Sequence, residues 1–232
     1  RGIEGLIVIG GNGSQRGAYD LSRQGLAVVG VASTVDNDLY GSDISIGVDT
    51  ALDTIVSSID RIRTTAESHH RAFLIEVMGR DYGYLALMAG LASGAEVVVT
   101  PEFEMEPSEV VKELRRAHRS GKRYALVVIT DGAKNNTAKI AAYIMEHIDE
   151  AEFELRVTIL GHVQRGGSPN TFDRILATRF GVAAVGLMRA GESGTLVGLR
   201  DGKIAYTPLE EVVSNKKVLD AELWKMGREL AR

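Results

Sequence analysis

Five short segments of this 232-residue chain carry side chains suited to handling phosphate. Thr34-Val35-Asp36-Asn37-Asp38 sets two carboxylates at alternate positions. In an extended segment these point to the same side. Such a pair can hold magnesium, or one member can accept a proton while the other orients a metal. The same residues also read as an Asp/Asn-rich turn that caps the next element of the chain. Gly10-Gly11-Asn12-Gly13-Ser14 lies between an apolar run and a helical pattern. It is either a phosphate cradle, with backbone amides and the helix dipole facing the ligand, or a tight strand-to-helix turn. It matches neither the dinucleotide fingerprint nor the P-loop. The third group is cationic: Arg71, Arg80, Arg156, His162 and Arg165, each beside an expected buried strand. Guanidinium groups bind phosphate bidentately, and imidazole adds a donor. Surface salt bridges explain any one of these, but less readily all five. Met78-Gly79-Arg80, Thr130-Asp131-Gly132 and Gly161 to Pro169 complete the set. Together they suggest phosphoryl transfer between two phosphorylated ligands, a reaction governed by positioning and charge neutralisation.

Other chemistries find less support. His69 and His70 are helix-end neighbours that cannot face one metal together. His118 and His147 sit near expected helix C-termini, where a cation is favoured anyway. Ser14 and Ser168 have no His/Asp relay, and Gly-x-Ser-x-Gly is absent. The chain has no cysteine, which removes thiol catalysis, disulfides and Cys-based zinc sites and fits a reducing cytosol. A net charge of −4 argues against an extended nucleic-acid or anionic-membrane surface. The apolar runs fall far short of the ~20 residues that span a bilayer, and no secretory signal is visible. The 26 glycines have no collagen period and, at 44% hydrophobic residues, do not belong to a disordered chain.

The elements that must position these loops repeat one unit: apolar run, Gly- or Asp-containing loop, helical pattern. Strands are expected at 5–9, 27–31, 73–77, 97–99, 124–129 and 155–160, with a helix from about 14 to 24 and others over 48–68, 108–119 and 137–147. Ser108 is the expected N-cap of the helix it opens. Alternating strands and helices mean right-handed βαβ units and mostly parallel sheets. Ligands in such sheets bind beyond the carboxyl ends of the strands, where the five segments fall. Residue 1 stands just ahead of a buried strand, so the chain reads either as beginning inside a larger fold or as an edge strand at a natural terminus.

In this order and spacing, Gly10 to Ser14, Thr34 to Asp38, Glu76-Val77-Met78-Gly79-Arg80 and Gly161 to Pro169 resemble the 6-phosphofructokinase family, of the bacterial ATP-dependent type. The resemblance runs over essentially the whole chain. The first motif is shared loosely with NAD kinases and diacylglycerol kinases; the Thr-x-Asp-Asn-Asp and His-x-Gln-Arg-Gly-Gly-Ser-Pro motifs are more specific. The resemblance implies an α/β fold of two similar Rossmann-like lobes with mostly parallel sheets. One would be a nucleotide-binding lobe, residues 1–47 with 164–212, incomplete at its start. The other would be a sugar-phosphate-binding lobe, residues 48–163 with 213–232.

It also implies magnesium-dependent phosphoryl transfer from ATP to the 1-hydroxyl of fructose 6-phosphate, in a cytoplasmic homotetramer of glycolysis. Asp36 matches the general base, Asp38 its neighbour near the metal, and Thr34 a group that positions the reacting atoms. Arg80 matches a cation close to the transferred phosphoryl, and Met78 and Gly79 the wall of the sugar site. Arg156, His162 and Arg165 match sugar-phosphate ligands, with Arg71 and Arg156 reaching in from a neighbouring subunit. Gly10, Gly11, Asn12, Gly13 and Ser14 correspond to the nucleotide phosphate loop. Arg63, Glu96, Lys122 and Arg123 fall at positions of an allosteric site.

The chain departs from the family pattern at four places. The family's leading segment, with its first strand and a Gly-rich loop, has no counterpart here. Asn12 stands where the family has a magnesium-associated aspartate, leaving an amide oxygen as the ligand. Asp131 replaces a sugar-contacting glutamate that is one methylene longer. Gly13 agrees with ATP users, while Ser33 is neither the glycine of ATP users nor the lysine of diphosphate users. These departures motivate two alternatives: a catalytically weakened sugar-phosphate-binding subunit and a diphosphate-dependent enzyme.

Overall fold

The structure, a computed structural model, describes residues 2–147 and 152–231. The chain divides into two compact units, Arg1–Thr50 with Ser168–Val218 and Ala51–Gly167 with Leu219–Arg232.

The first unit holds a four-stranded sheet in the order β1 (Gly5–Gly10), β2 (Ala27–Ala32), β7 (Thr195–Arg200), β8 (Lys203–Pro208). β1, β2 and β7 run parallel. β8 returns antiparallel through Asp201 and Gly202, both at positive φ (50° and 73°), the two-residue turn whose twist matches its strands. Helices α1 (Asn12–Arg23), α6 (Thr171–Ala190) and α7 (Leu209–Ser214) belong to the same unit. Val29, Val31, Leu176, Phe180 and Val197 form its core. The hairpin and the long α6 were not among the expected elements.

The second unit has a fully parallel sheet in the order β4 (Val97–Val99), β5 (Ala125–Thr130), β3 (Arg71–Val77), β6 (Glu154–Ile159). Every residue of β5 is buried, as a central parallel strand with both faces covered requires. Around it stand α3 (Tyr84–Ser93), α4 (Pro107–Arg119), α5 (Thr137–Glu146) and α8 (Ala221–Leu230). Helix α2 (Val48–His69) runs across the division of the chain. Leu74, Leu114, Val127, Ile129 and Ile140 pack the core. Trp224 of α8 stacks on Phe103, ring centroids 4.6 Å apart.

Two local expectations are corrected. Ser108 does not cap α4. Glu106 does, in a reciprocal box with Glu109, and Pro107 occupies the first helical position, where a missing N–H costs nothing. The Gly10–Ser14 segment is also shorter as a loop than expected. Gly11 is the cap of α1, so Asn12, Gly13 and Ser14 already form its first turn. Gly25, Gly121, Gly191 and Gly194 all have positive φ, the conformation in which glycine commonly ends helices and makes turns. No helix among the described residues is long and apolar enough to cross a membrane.

Candidate active site

In the first unit, the ends of β1 and β2 are stapled by a side chain outside the expected site. The Gln15 amide, fully buried, donates to the carbonyls of Val8, Gly10 and Val31 at 3.2, 2.9 and 3.2 Å. This fixes Gly10 beside the strand that leads into Ser33 and Thr34. A Cβ at Gly13 would meet nothing within 4 Å. Nothing in the chain's own packing therefore requires a glycine there, and the first turn of α1 stands open to a ligand.

The acid segment is not extended. Its backbone turns at Val35 and Asp36, and Asn37 is left-handed with φ 55°. The alternation that would aim both acids to one side of an extended strand is therefore absent. Instead, a cage of hydrogen bonds built on Asn37 fixes the two acids. Its Nδ2 donates to the Asp43 carbonyl at 3.0 Å, and its Oδ1 accepts from Ser45 N and Oγ at 3.2 and 3.3 Å. Ser45 Oγ also donates to the Thr34 carbonyl, and Asp36 N donates to Thr34 Oγ1 at 3.3 Å. Asp36 is left 9% exposed. Lys217 donates to the same Asp43 carbonyl at 2.7 Å. Burial pushes the Lys217 ammonium down to about 8, against the pull of the Asp43 and Asp38 carboxylates.

Asp38 Oδ1 is buried and makes no hydrogen bond. Asn12 Nδ2 makes a long 3.4 Å contact to the Asp38 carbonyl. Among the described residues no three His, Cys, Asp or Glu side chains form a metal cluster. Magnesium commonly takes only one or two carboxylates, with waters and substrate phosphates filling the rest of its sphere. A lone orphaned carboxylate oxygen beside an amide fits that role.

The second unit contains the expected basic loops. Met78-Gly79-Arg80 comes directly after β3, and Arg80 is left-handed with φ 51°. Its N–H donates to Asp131 Oδ1 at 2.8 Å, and Asp131 N donates to the Val77 carbonyl at 2.8 Å. A Cβ at Gly132 would lie 1.7 Å from the Arg80 carbonyl oxygen, so the two loops touch backbone to backbone. Gly79 is demanded by the fold in the same way, since a Cβ there would meet Thr130 Cγ2 and the Tyr82 carbonyl at 2.6 Å. The Gly161–Arg165 segment forms a turn of 3₁₀ helix with His162 and Arg165 exposed. Its buried Gln164 accepts from Met78 N at 3.0 Å and donates to the Gly161 carbonyl at 2.8 Å. Gln164 thus ties the His-x-Gln-Arg motif to the Met78 loop, a role that spacing alone did not reveal.

Arg71 and Arg156 are not loop residues. Arg71 is the first residue of β3 and Arg156 lies within the edge strand β6. Both pair with Glu154, Arg71 through Nε at 2.7 Å and Arg156 through a guanidinium nitrogen. The Arg71 hydrogen bond, helped by Arg156, holds the Glu154 carboxyl below its usual range against some desolvation. Of the four expected allosteric positions, Glu96 and Lys122 meet each other at 3.0 Å. Glu96 also accepts from Leu126 N, while Arg63 donates to the Ser93 carbonyl.

A family model described as Phosphofructokinase matches residues 1–188. The chain is 47% identical to the ATP-dependent 6-phosphofructokinases of Bacillus thuringiensis (strain Al Hakam) and Bacillus anthracis (strain A0248), over 99% of its own length and 71% of theirs. Among solved structures, phosphofructokinase from Saccharomyces cerevisiae superposes with TM-score 0.82 at 35% identity. That match covers 92% of this chain and only 33% of the yeast chain. A pyrophosphate-dependent phosphofructokinase from Marinobacter aquaeolei shares the fold, with TM-score 0.84 at 24% identity, covering 95% of this chain and 62% of its own. The motifs, the mixed α/β architecture and these matches define a phosphoryl-transfer fold of one kind. The chain belongs to the phosphofructokinase family.

Proposed function

We propose that this chain carries ATP-dependent transfer of a phosphoryl group to the 1-hydroxyl of fructose 6-phosphate, giving fructose 1,6-bisphosphate. The observation that carries the reading is the buried Asp36, held in a turn that the Asn37 cage fixes. A carboxylate fixed in this way loses little freedom when it accepts the hydroxyl proton, so its positioning favours the transition state. Thr34 orients the turn through its hydroxyl. Arg80 stands as the cation near the transferred phosphoryl, where charge is neutralised during transfer. Arg156, His162 and Arg165, with Arg71, hold the sugar phosphate, and Met78 and Gly79 line its site. Gly10 to Ser14 take the nucleotide phosphates at the N-terminus of α1. Magnesium, held by Asp38 and Asn12, would neutralise phosphate charge when bound.

The donor is ATP. The relatives at 47% identity are named for it, and Gly13 leaves the first turn of α1 open. Arg63, Glu96, Lys122 and Arg123 lie at an effector site of a homotetramer in which sites are shared between subunits. The reading also places the protein in the cytoplasm. A second reading, a sugar-phosphate-binding subunit without turnover, takes its support from Asn12, an uncharged amide where the metal role calls for a carboxylate.

Asp36→Asn in the full-length protein separates the two. The variant keeps the shape of the side chain and removes the base, so kcat falls at least about a hundredfold while fructose 6-phosphate affinity stays nearly unchanged. Measured turnover near wild type would remove Asp36 as the base.

A further inference from the structure

Arg80 is the one arginine among the left-handed non-glycine residues described. For a long side chain that conformation costs about 1–2 kcal/mol and persists only where the surroundings impose it. Here the imposing group is identifiable. The Arg80 N–H is held by Asp131 Oδ1 at 2.8 Å, and the glycine after Asp131 lets the two backbones touch. The far ends of both loops are braced by one acidic segment. Both Glu102 oxygens accept from Gly83 N at 3.1 and 3.2 Å, and the Glu104 carboxylate accepts from Lys134 N and Asn135 N. The Arg80 side chain itself is exposed.

We infer that Asp131 is a positioning residue, whose carboxylate fixes the left-handed Arg80 backbone so that the guanidinium is presented to the group being transferred. This inference rests on the kinase function proposed for the site. A shorter acid suits the task, because its single methylene keeps Oδ1 within reach of the neighbouring loop's amide. Asp131 then acts in the transition state through Arg80 and does not select the sugar.

The test compares wild type, Asp131→Asn and Asp131→Ala in the full-length protein with ATP, magnesium and fructose 6-phosphate. Asn keeps an acceptor at Oδ1; Ala removes it. We expect Asp131→Ala to lower kcat about tenfold with KM for fructose 6-phosphate changed less than about twofold. Asp131→Asn should stay within about threefold of wild type in both. Exchange of the Arg80 amide proton should be slow in wild type and Asp131→Asn and fast in Asp131→Ala. The inference is overturned if Asp131→Ala raises KM with kcat intact, which would make it a sugar ligand, or if Asn is as damaging as Ala. Unchanged Arg80 exchange in Asp131→Ala overturns it as well. If wild type forms no product, the kinase function falls instead, and Arg80 exchange alone decides the link.

Discussion

The two motif loops with left-handed residues solve the same problem in opposite ways. In the acid loop the strained residue is Asn37, a type that tolerates the conformation, and its own buried amide makes the bonds that hold the turn. In the basic loop the strained residue is Arg80, and the holding group comes from another loop, Asp131. In the first case a side chain is consumed as scaffold, which leaves Asp36 and Asp38 for the chemistry proposed above. In the second a neighbouring loop supplies the scaffold and the strained residue's side chain is left exposed, as the proposed role requires. Burial matches this difference: Asn37 is 1% exposed, whereas Arg80 is exposed to solvent.

Glycine accepts the left-handed conformation without strain, so placing it at both positions breaks the comparison most sharply. Asn37→Gly removes the cage and leaves the buried Ser45 N–H without its acceptor, a loss of about 2–4 kcal/mol. Arg80→Gly removes no scaffold bond. Relief of strain and the added freedom of the unfolded chain nearly cancel, giving a change within about 1 kcal/mol. Urea denaturation of the two variants checks this, and equal losses would erase the distinction.

A smaller effect concerns Lys217, which reaches the acid loop through the Asp43 carbonyl. Its proton is bound less tightly in the folded chain, at about 8 against 10.5. Between those values the unfolded chain binds more protons, so Lys217 makes stability rise with pH there, with a slope of at most about 1.4 kcal/mol per pH unit. Lys217→Met should lose that rise, read as the difference between variant and wild type in urea midpoints from pH 7 to 10. A difference that stays flat across the range would place the lysine in a more solvated setting.

What could be read from residues alone was whatever depends on near neighbours. The apolar runs marked six strands within a residue or two of where they lie; β2 to β5 are largely buried, as continuous apolar stretches in a parallel sheet should be, whereas β1 and β6 leave several of their residues exposed. Asp201-Gly202 was an available signal for the missed hairpin, since both residues accept the positive φ its turn requires. The rest depends on distant partners. Gln164 meets Met78 across 86 positions, and Lys217 meets Asp43 across 174. The pairing of Arg71 and Arg156 on Glu154 comes from the register of β3 against β6, which no local pattern encodes. The acid motif was visible and a turn was one of its two readings, but what holds that turn was not, because Asp43 and Ser45 fix it from outside the motif.

The most direct test supplies purified full-length protein with magnesium and fructose 6-phosphate, and with either ATP or inorganic diphosphate as donor. Product formation is monitored by coupling fructose 1,6-bisphosphate to its cleavage. We expect product with ATP and little with diphosphate. Product with diphosphate alone would contradict the donor assignment, and no product with either, despite measurable fructose 6-phosphate binding, would contradict the enzyme itself.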